Sequence, residues 1–347
     1  MIDVVVIGGG PSGLISAILA AQAGLKAVVI EAKPDTIDKA CGEGLMPGAV
    51  AALQKMGVEV KTHHPFVGIR YIDGSKSAEG RFKKAPGWGV RRLELHDALR
   101  ERAQSLDVEI RHMRAGKITE HEDSVEVCGI RARYCLAADG LRSKIRKQLN
   151  LEAPSKYAPR FGIRRHYRQA PWSDYVEVYW SEGAEAYVTP VGPDQIGVAI
   201  LFNRAKKITD KGPYDVLIEQ FPTLKERLTG QFSSNVRGAG PFEQRLTKRV
   251  KGRIMLVGDA AGYLDPITGE GIRLGLSSAK AAIACILANR PQDYEKKWRR
   301  LSRRYWLLTA GLLQIRRIRL LRKLIVPALR RIPFLFSIAV NALAHED

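Results

Sequence analysis

Val4-Val5-Val6-Ile7-Gly8-Gly9-Gly10-Pro11-Ser12-Gly13 stands near the start of the chain, and a second apolar run, Ala27-Val28-Val29-Ile30, closes on Glu31. The pattern predicts a buried strand, a glycine turn, a helix opened by Pro11 and a second strand ending on an acid. Each position answers a need of dinucleotide binding. Gly8 permits the tight turn, Gly10 lets the backbone approach a pyrophosphate, and Gly13 lets the helix pack closely on the strand. Ser12 lies in the first helical turn, whose free N–H groups and positive dipole end suit a diphosphate. Glu31 falls about 20 residues on, where a carboxylate accepts hydrogen bonds from an adenosine ribose and repels a 2′-phosphate. The resident nucleotide is therefore expected to be FAD or NAD, not NADP. The alternative is a structural glycine turn in another α/β protein.

At 347 residues the chain can bury a large core, and two intertwined domains are expected. Cys41, Cys128, Cys135 and Cys285 show neither CxxC nor CxxH spacing. No metal site and no redox dithiol are expected, and a reducing compartment suits them. The first strand begins at once, which leaves no room for a signal peptide, and no stretch reaches the roughly 18 apolar residues that span a bilayer. These readings favour the cytoplasm. No second GxGxxG in strand-and-helix context, no GxSxG, no HExxH and no P-loop occurs, which disfavours hydrolysis, phosphoryl transfer and a separate nicotinamide domain.

Two further strands end on acids beside glycines. Tyr134-Cys135-Leu136-Ala137-Ala138-Asp139-Gly140 leads into a basic helix, and Arg253-Ile254-Met255-Leu256-Val257-Gly258-Asp259 precedes Asp265-Pro266-Ile267-Thr268-Gly269-Glu270-Gly271-Ile272 and a long helix to about Leu287. In this order the three motifs resemble the FAD-dependent superfamily of geranylgeranyl reductases and aromatic-ring hydroxylases, over about residues 1–290. Lys39-Ala40-Cys41-Gly42-Glu43-Gly44-Leu45 and Thr268-Gly269-Glu270-Gly271-Ile272 look most like the geranylgeranyl reductase branch. Arg92-Leu93-Glu94-Leu95-His96 resembles the helix whose leading arginine lies near the flavin in both branches.

The resemblance implies an α/β fold: a Rossmann-type FAD-binding domain (1–59, 92–150 and 245–290) and an inserted antiparallel β-sheet substrate domain (60–91 and 151–244); beyond it, the residues themselves read as a basic, amphipathic helical C-terminal region (291–347). The resemblance also implies that Asp139 and Gly140 support the adenosine half of FAD, and that Cys41 and Arg92 approach the flavin. Asp259 can accept a hydrogen bond from a ribityl hydroxyl; its alternative is to cap the next turn. Gly269, Gly271 and Ile272 open a helix whose N–H groups would face the pyrimidine side of the ring and stabilise charge there by roughly 0.3–2 kcal/mol. Cys41 is the candidate catalytic residue; its alternative is a small buried side chain.

Residues 160–202 read as strands separated by Glu182-Gly183 and Gly192-Pro193-Asp194, an antiparallel meander that would roof the flavin. The geranylgeranyl reductase branch carries Tyr-x-Trp-x-Phe-Pro here. This chain offers Tyr187-Val188-Thr189-Pro190, without the Trp and Phe, so Tyr187 and Thr189 are the candidate substrate residues.

Residues 290–331 hold fourteen lysines and arginines against two acids, Asp293 and Glu295, more than half of the net charge of +20. The apolar spacing between them is helical, with breaks expected at Pro327 and Pro333, and suits a helix lying on an anionic membrane surface. The alternative is a helix docked on the FAD domain by its leucines; nucleic acid is not expected, since no recognised module accompanies the charge. Three activities remain open at this stage. The first reduces a C=C bond of a prenyl or polyketide-like lipid, with NAD(P)H as transient reductant. The second hydroxylates an aromatic or phenolic lipid as a monooxygenase. The third is a non-catalytic flavin electron-relay subunit. For the enzymes the partner is a hydrophobic small-molecule or lipid substrate, and the expected location is cytoplasmic, peripheral on the inner face of the membrane.

Overall fold

A computed structural model describes residues 1–203 and 212–344, with the side chains of 319–323 outside the description. Strand Ile2–Ile7 forms from a β-branched run and buries Val4, Val5 and Val6 completely. It lies between parallel neighbours Ala27–Glu31 and Ile130–Ala137, and Ile254–Leu256 continues the sheet in parallel beyond the latter. Helix Pro11–Gln22 covers one face with Leu14, Ile15 and Ile18. Ile7 pairs with Ala137 and Ala137 with Leu256, so three adjacent strands end at one level. The three glycine-acid motifs follow those ends, at the carboxyl edge where parallel sheets bind ligands.

The second sheet runs through Arg160–Arg168, Gln195–Asn203, Ala184–Gly192, Tyr175–Trp180, Gly68–Asp73 and Lys76–Arg81. It is antiparallel at each of these junctions but one: Tyr175–Trp180 pairs in parallel with Gly68–Asp73. Those two strands belong to separate passes of the chain with no hairpin joining them, so nothing imposes the antiparallel direction. Of the stretch 60–91, two strands join this sheet. His64–Phe66 and Gly87–Gly89 form a small sheet with Gly44–Leu45 instead.

The basic tail folds as three helices, Asp293–Arg317, Arg319–Arg331 and Pro333–Ala344. Contrary to the sequence reading, Pro327 does not end a helix; the breaks fall at Ile318 and before Pro333. An interior proline removes one hydrogen bond, and here Val326, fully buried, packs with Ile325 and Leu329 against the second sheet and holds the helix on course. The long helix is docked by polar as well as apolar contacts. Tyr294 Oη donates to the Leu256 carbonyl at 2.8 Å, and Tyr305 Oη accepts from the Leu264 and Asp265 N–H groups at 3.0 and 3.1 Å.

Near the end of that helix, buried Arg316 pairs with Glu185, which is fully buried on the second sheet and also pairs with Arg160 at 2.9 Å; Arg160 in turn holds Asp265 at 2.7 Å. Removing one member of such a set leaves buried charge uncompensated. Arg316→Ala is accordingly expected to destabilise the protein by about 3 kcal/mol, measured as the shift of the urea-unfolding midpoint at constant slope.

Candidate functional site

Gly8 adopts φ +105°, and a side-chain carbon there would lie 2.6 Å from the Ala138 carbonyl oxygen; one on Gly13 would lie 1.8 Å from the Gly8 carbonyl oxygen. Both glycines are fixed by contact between first strand, first helix and the Asp139 strand. Gly10 differs, since the nearest atom to a side-chain carbon there is Arg92 Nη2 at 4.0 Å. The space above Gly10 is therefore left open for a ligand. Glu31 steadies the turn: its carboxylate accepts from the Gly9 N–H at 2.7 Å and the Lys33 N–H at 2.9 Å. His96 does the same from below, its Nε2 lying 2.9 Å from the Gly9 carbonyl.

A cavity of about 900 Å³ begins at this turn. Gly10, Ser12, Cys41, Arg92, Asp139, Gly140, Asp259, Gly269, Gly271 and Ile272 line it, together with Tyr187 and Thr189. Gly8, Gly13 and Glu31 stand behind the wall. Asp139 Oδ2 accepts from the Lys144 and Ile145 N–H groups, while its Oδ1 is buried with no partner and free to accept from a ligand. Asp259 sits within the turn Gly258–Ala261 and makes no capping hydrogen bond there; Asp265 caps the following one through Ile267 N–H. Burial pushes the Asp259 carboxyl up, against the pull of Lys39, Arg92 and Arg146. Burial likewise pulls the Lys39 amine down, helped by Arg92 and opposed by Asp259. A diphosphate at the first helix, a ribityl hydroxyl at Asp259 and a flavin ring at the Gly269–Ile272 helix start all meet groups of suitable chemistry, so these residues fit FAD.

The Cys41–Gly44 loop forms the next part of the wall. Thr189 Oγ1 donates to the Gly42 carbonyl at 2.7 Å, and Tyr187 Oη donates to the Ile267 carbonyl at 3.1 Å. The two candidate substrate residues thus tie the second sheet to the Cys41 loop and to the loop before Gly269. Cys41 Sγ accepts from the Glu43 N–H at 3.4 Å. Burial pushes its thiol up, although Arg92 pulls the other way, so Cys41 is a protonated thiol at neutral pH.

Glu43 escaped the sequence reading. It is buried at φ +60°, accepts from the Arg92 N–H at 2.8 Å and faces His166 Nε2 at 2.6 Å. Arg164, two residues before His166 on the same strand face, donates to His166 Nδ1 at 3.1 Å and pairs with Asp38. The signal available was Arg164 and His166 recurring at period two on a strand expected to face inward.

The fold and this cavity define an FAD-dependent oxidoreductase. Residues 1–290 match the FAD binding domain family, and the chain belongs to it. The chain is 28% identical to a menaquinone reductase of Mycobacterium tuberculosis, over 85% of this chain and 78% of the relative. It is 29% identical to a digeranylgeranylglycerophospholipid reductase of Methanosarcina acetivorans, over 86% and 80%. Among solved structures, a flavin-dependent brominase superposes with a TM-score of 0.84 at 18% identity, covering 99% of this chain and 93% of that one.

Gly10→Ala is expected to fold normally and to lose at least about tenfold in FAD affinity, roughly 1.4 kcal/mol, while Gly13→Ala fails to fold; flavin absorbance and thermal melting of the purified variants check both. Cys41 should alkylate with iodoacetamide far more slowly than exposed Cys128 at pH 8, read by peptide mass spectrometry.

Proposed function

We propose that this chain is an NAD(P)H-fuelled reductase that saturates a C=C bond in the prenyl chain of a lipid. The observation that carries it is the far half of the cavity. Beyond the Cys41 loop its lining is apolar, from Phe66, Ile69, Val176 and Val178 of the sheets to Leu312, Ile325 and Phe336 of the tail helices. An apolar wall of this kind, with the Tyr71 ring set among it, suits a hydrocarbon chain better than a polar metabolite. The reductase names of relatives that act on menaquinone and on geranylgeranyl lipids support the reading.

Adding two hydrogens to such a bond needs a hydride and a proton. FAD held by the glycine turn, Asp259 and the Gly271 helix start would supply the hydride, with NAD(P)H as the source of its electrons. Cys41 supplies the proton: its thiol lines the slot, burial keeps it protonated, and Arg92 favours the thiolate left behind. Thr189 and Glu43 hold the loop that presents it. Lys39, Arg142 and Gly238 line the polar end of the cavity and reach the surface, where a nicotinamide can visit. The hydroxylase alternative rests on Arg92, Leu95 and His96 and on the absent Trp and Phe; Arg92 and Leu95 line the cavity, while His96 is engaged with the Gly9 carbonyl.

The test is single-turnover: reduce the yellow protein without oxygen, add a prenylated quinone or geranylgeranyl lipid, then admit air. A product heavier by two hydrogens is expected. A product heavier by one oxygen, or flavin reoxidation with no product, overturns the proposal. Cys41→Ser should keep FAD and slow the oxidative half-reaction by at least about tenfold. Because burial raises the thiol above its ordinary value, the wild-type rate should fall with rising pH only in a more alkaline range than a free cysteine would give, and Cys41→Ser should abolish that limb.

A further inference from the structure

The described residues include twelve large apolar side chains that are exposed, and eight of them fall between Leu307 and Ile338. Six lie on the second half of the long helix and the two helices that follow, and Ile318 and Ile332 at the breaks between them; the opposite faces are packed, with Val326, Phe336 and Val340 buried against the second sheet. These helices are therefore two-faced, with one side inside the fold and the other bare. A patch of this kind on a soluble surface marks a contact site.

Charge identifies the contact. From Lys296 to Ala344 the sequence contains no Asp or Glu. Arg303, Arg304, Arg317, Arg330 and Arg331 are exposed among or beside the apolar residues. A second copy of the chain would meet this face with the same uncompensated positive charge, which opposes self-association. A surface both apolar and negatively charged does not, and an anionic lipid bilayer is both. The segments Leu324–Arg331 and Pro333–Ala344 together have the length and hydropathy of a span, but they meet at 103°. Bent so, they do not form one straight span, and no single helix among the described residues is long and apolar enough to cross a bilayer. The elbow instead presents Ile332, Phe334 and Leu335, 49%, 66% and 51% exposed, beside Arg330 and Arg331. That arrangement fits shallow insertion with the cations at headgroup level.

We infer that the three C-terminal helices dock the protein on an anionic bilayer, elbow inward, and that the apolar end of the cavity opens into the lipid. Leu307, Leu308, Gly311 and Ala339 are at once exposed and part of the cavity lining, so the slot reaches the surface between the long helix and the last one, on the docking face. A hydrocarbon chain passing there enters from the bilayer without crossing water. The docking stands on its own observations; the entry route rests on the proposed lipid substrate.

The experiment is flotation of the FAD-loaded full chain with vesicles of phosphatidylglycerol and phosphatidylcholine, against phosphatidylcholine alone, in low and high salt. Binding to the anionic vesicles in low salt is expected, weakened by salt. Phe334→Ser with Leu335→Ser should reduce it at least tenfold, with FAD absorbance and melting unchanged, since neither residue lines the cavity. Arg330→Glu with Arg331→Glu should reduce binding to anionic vesicles as strongly. Absence of binding in low salt overturns the inference. So does binding indifferent to the Phe334/Leu335 pair, or a dimer in light scattering that the same pair abolishes. None of these readings requires turnover, so failure here leaves the proposed reaction standing and the reverse.

Discussion

The contact of Gly13 with the Gly8 carbonyl, and of Gly8 with the Ala138 carbonyl, sets the distance between the first helix and two strands. No side chain of any size fits at either point. Because Ile7, Ala137 and Leu256 end in register, that spacing also decides where Gly10, Asp139 and Asp259 lie relative to one another. A dinucleotide is long and flexible about its diphosphate, so a binding surface with its partners at fixed separation selects one extended conformation. Three loops otherwise remote in sequence become one binding surface through backbone contact alone.

The side chains that tie the second sheet to this surface are mostly buried and charged. Glu43 is bracketed by Arg92 N–H and His166, Glu185 by Arg160 and Arg316, and Asp265 by Arg160 and the Ile267 N–H. Buried ion pairs of this kind add little net stability compared with well-packed apolar residues. Their effect is positional, because a hydrogen-bonded carboxylate tolerates far less displacement than a packed leucine. Glu43 fixes the Cys41 loop against the Arg92 helix. Glu185 and Asp265 fix the tail and the Gly269 loop against the roof. The cavity is thus framed by groups whose cost of misplacement is high.

What the sequence disclosed and what it concealed follow from the range of the interactions. The glycine turn, the two later strand-acid motifs and the helix from Gly271 were legible because each is a local pattern: a β-branched run, a glycine needed at one backbone angle, an acid at a strand end. Arg92, Asp139 and Asp259 were found through motif order, and each lines the cavity. Glu43 was quoted in the loop but not weighed, because its meaning depends on His166, 123 residues away. Pro327 read as a break because local sequence carries no trace of Val326 packing against the sheet. The tail's charge was visible at once, and docking by its leucines stood as the alternative; what local sequence did not show is that Leu312, Ile325 and Phe336 form the cavity wall.

That double use of the tail ties the cavity's two ends together. At the polar end, burial pushes Lys39 and Asp259 toward their neutral forms, and each is the other's counter-charge. A diphosphate bound beside Lys39 would offset the cost of burying its charge, and a hydroxyl donated to Asp259 would favour the carboxylate, so a nucleotide there and the order of this end would reinforce one another. At the apolar end the reinforcement comes from Tyr305, which holds the loop before Gly269 by two backbone N–H groups while its helix carries Leu312 into the slot. One helix therefore touches both the loop before the Gly271 helix and the apolar wall of the cavity. Removing the tail would open the slot and also loosen the start of the Gly271 helix, which is why a segment outside the matched family region belongs to the site as much as the glycine turn does.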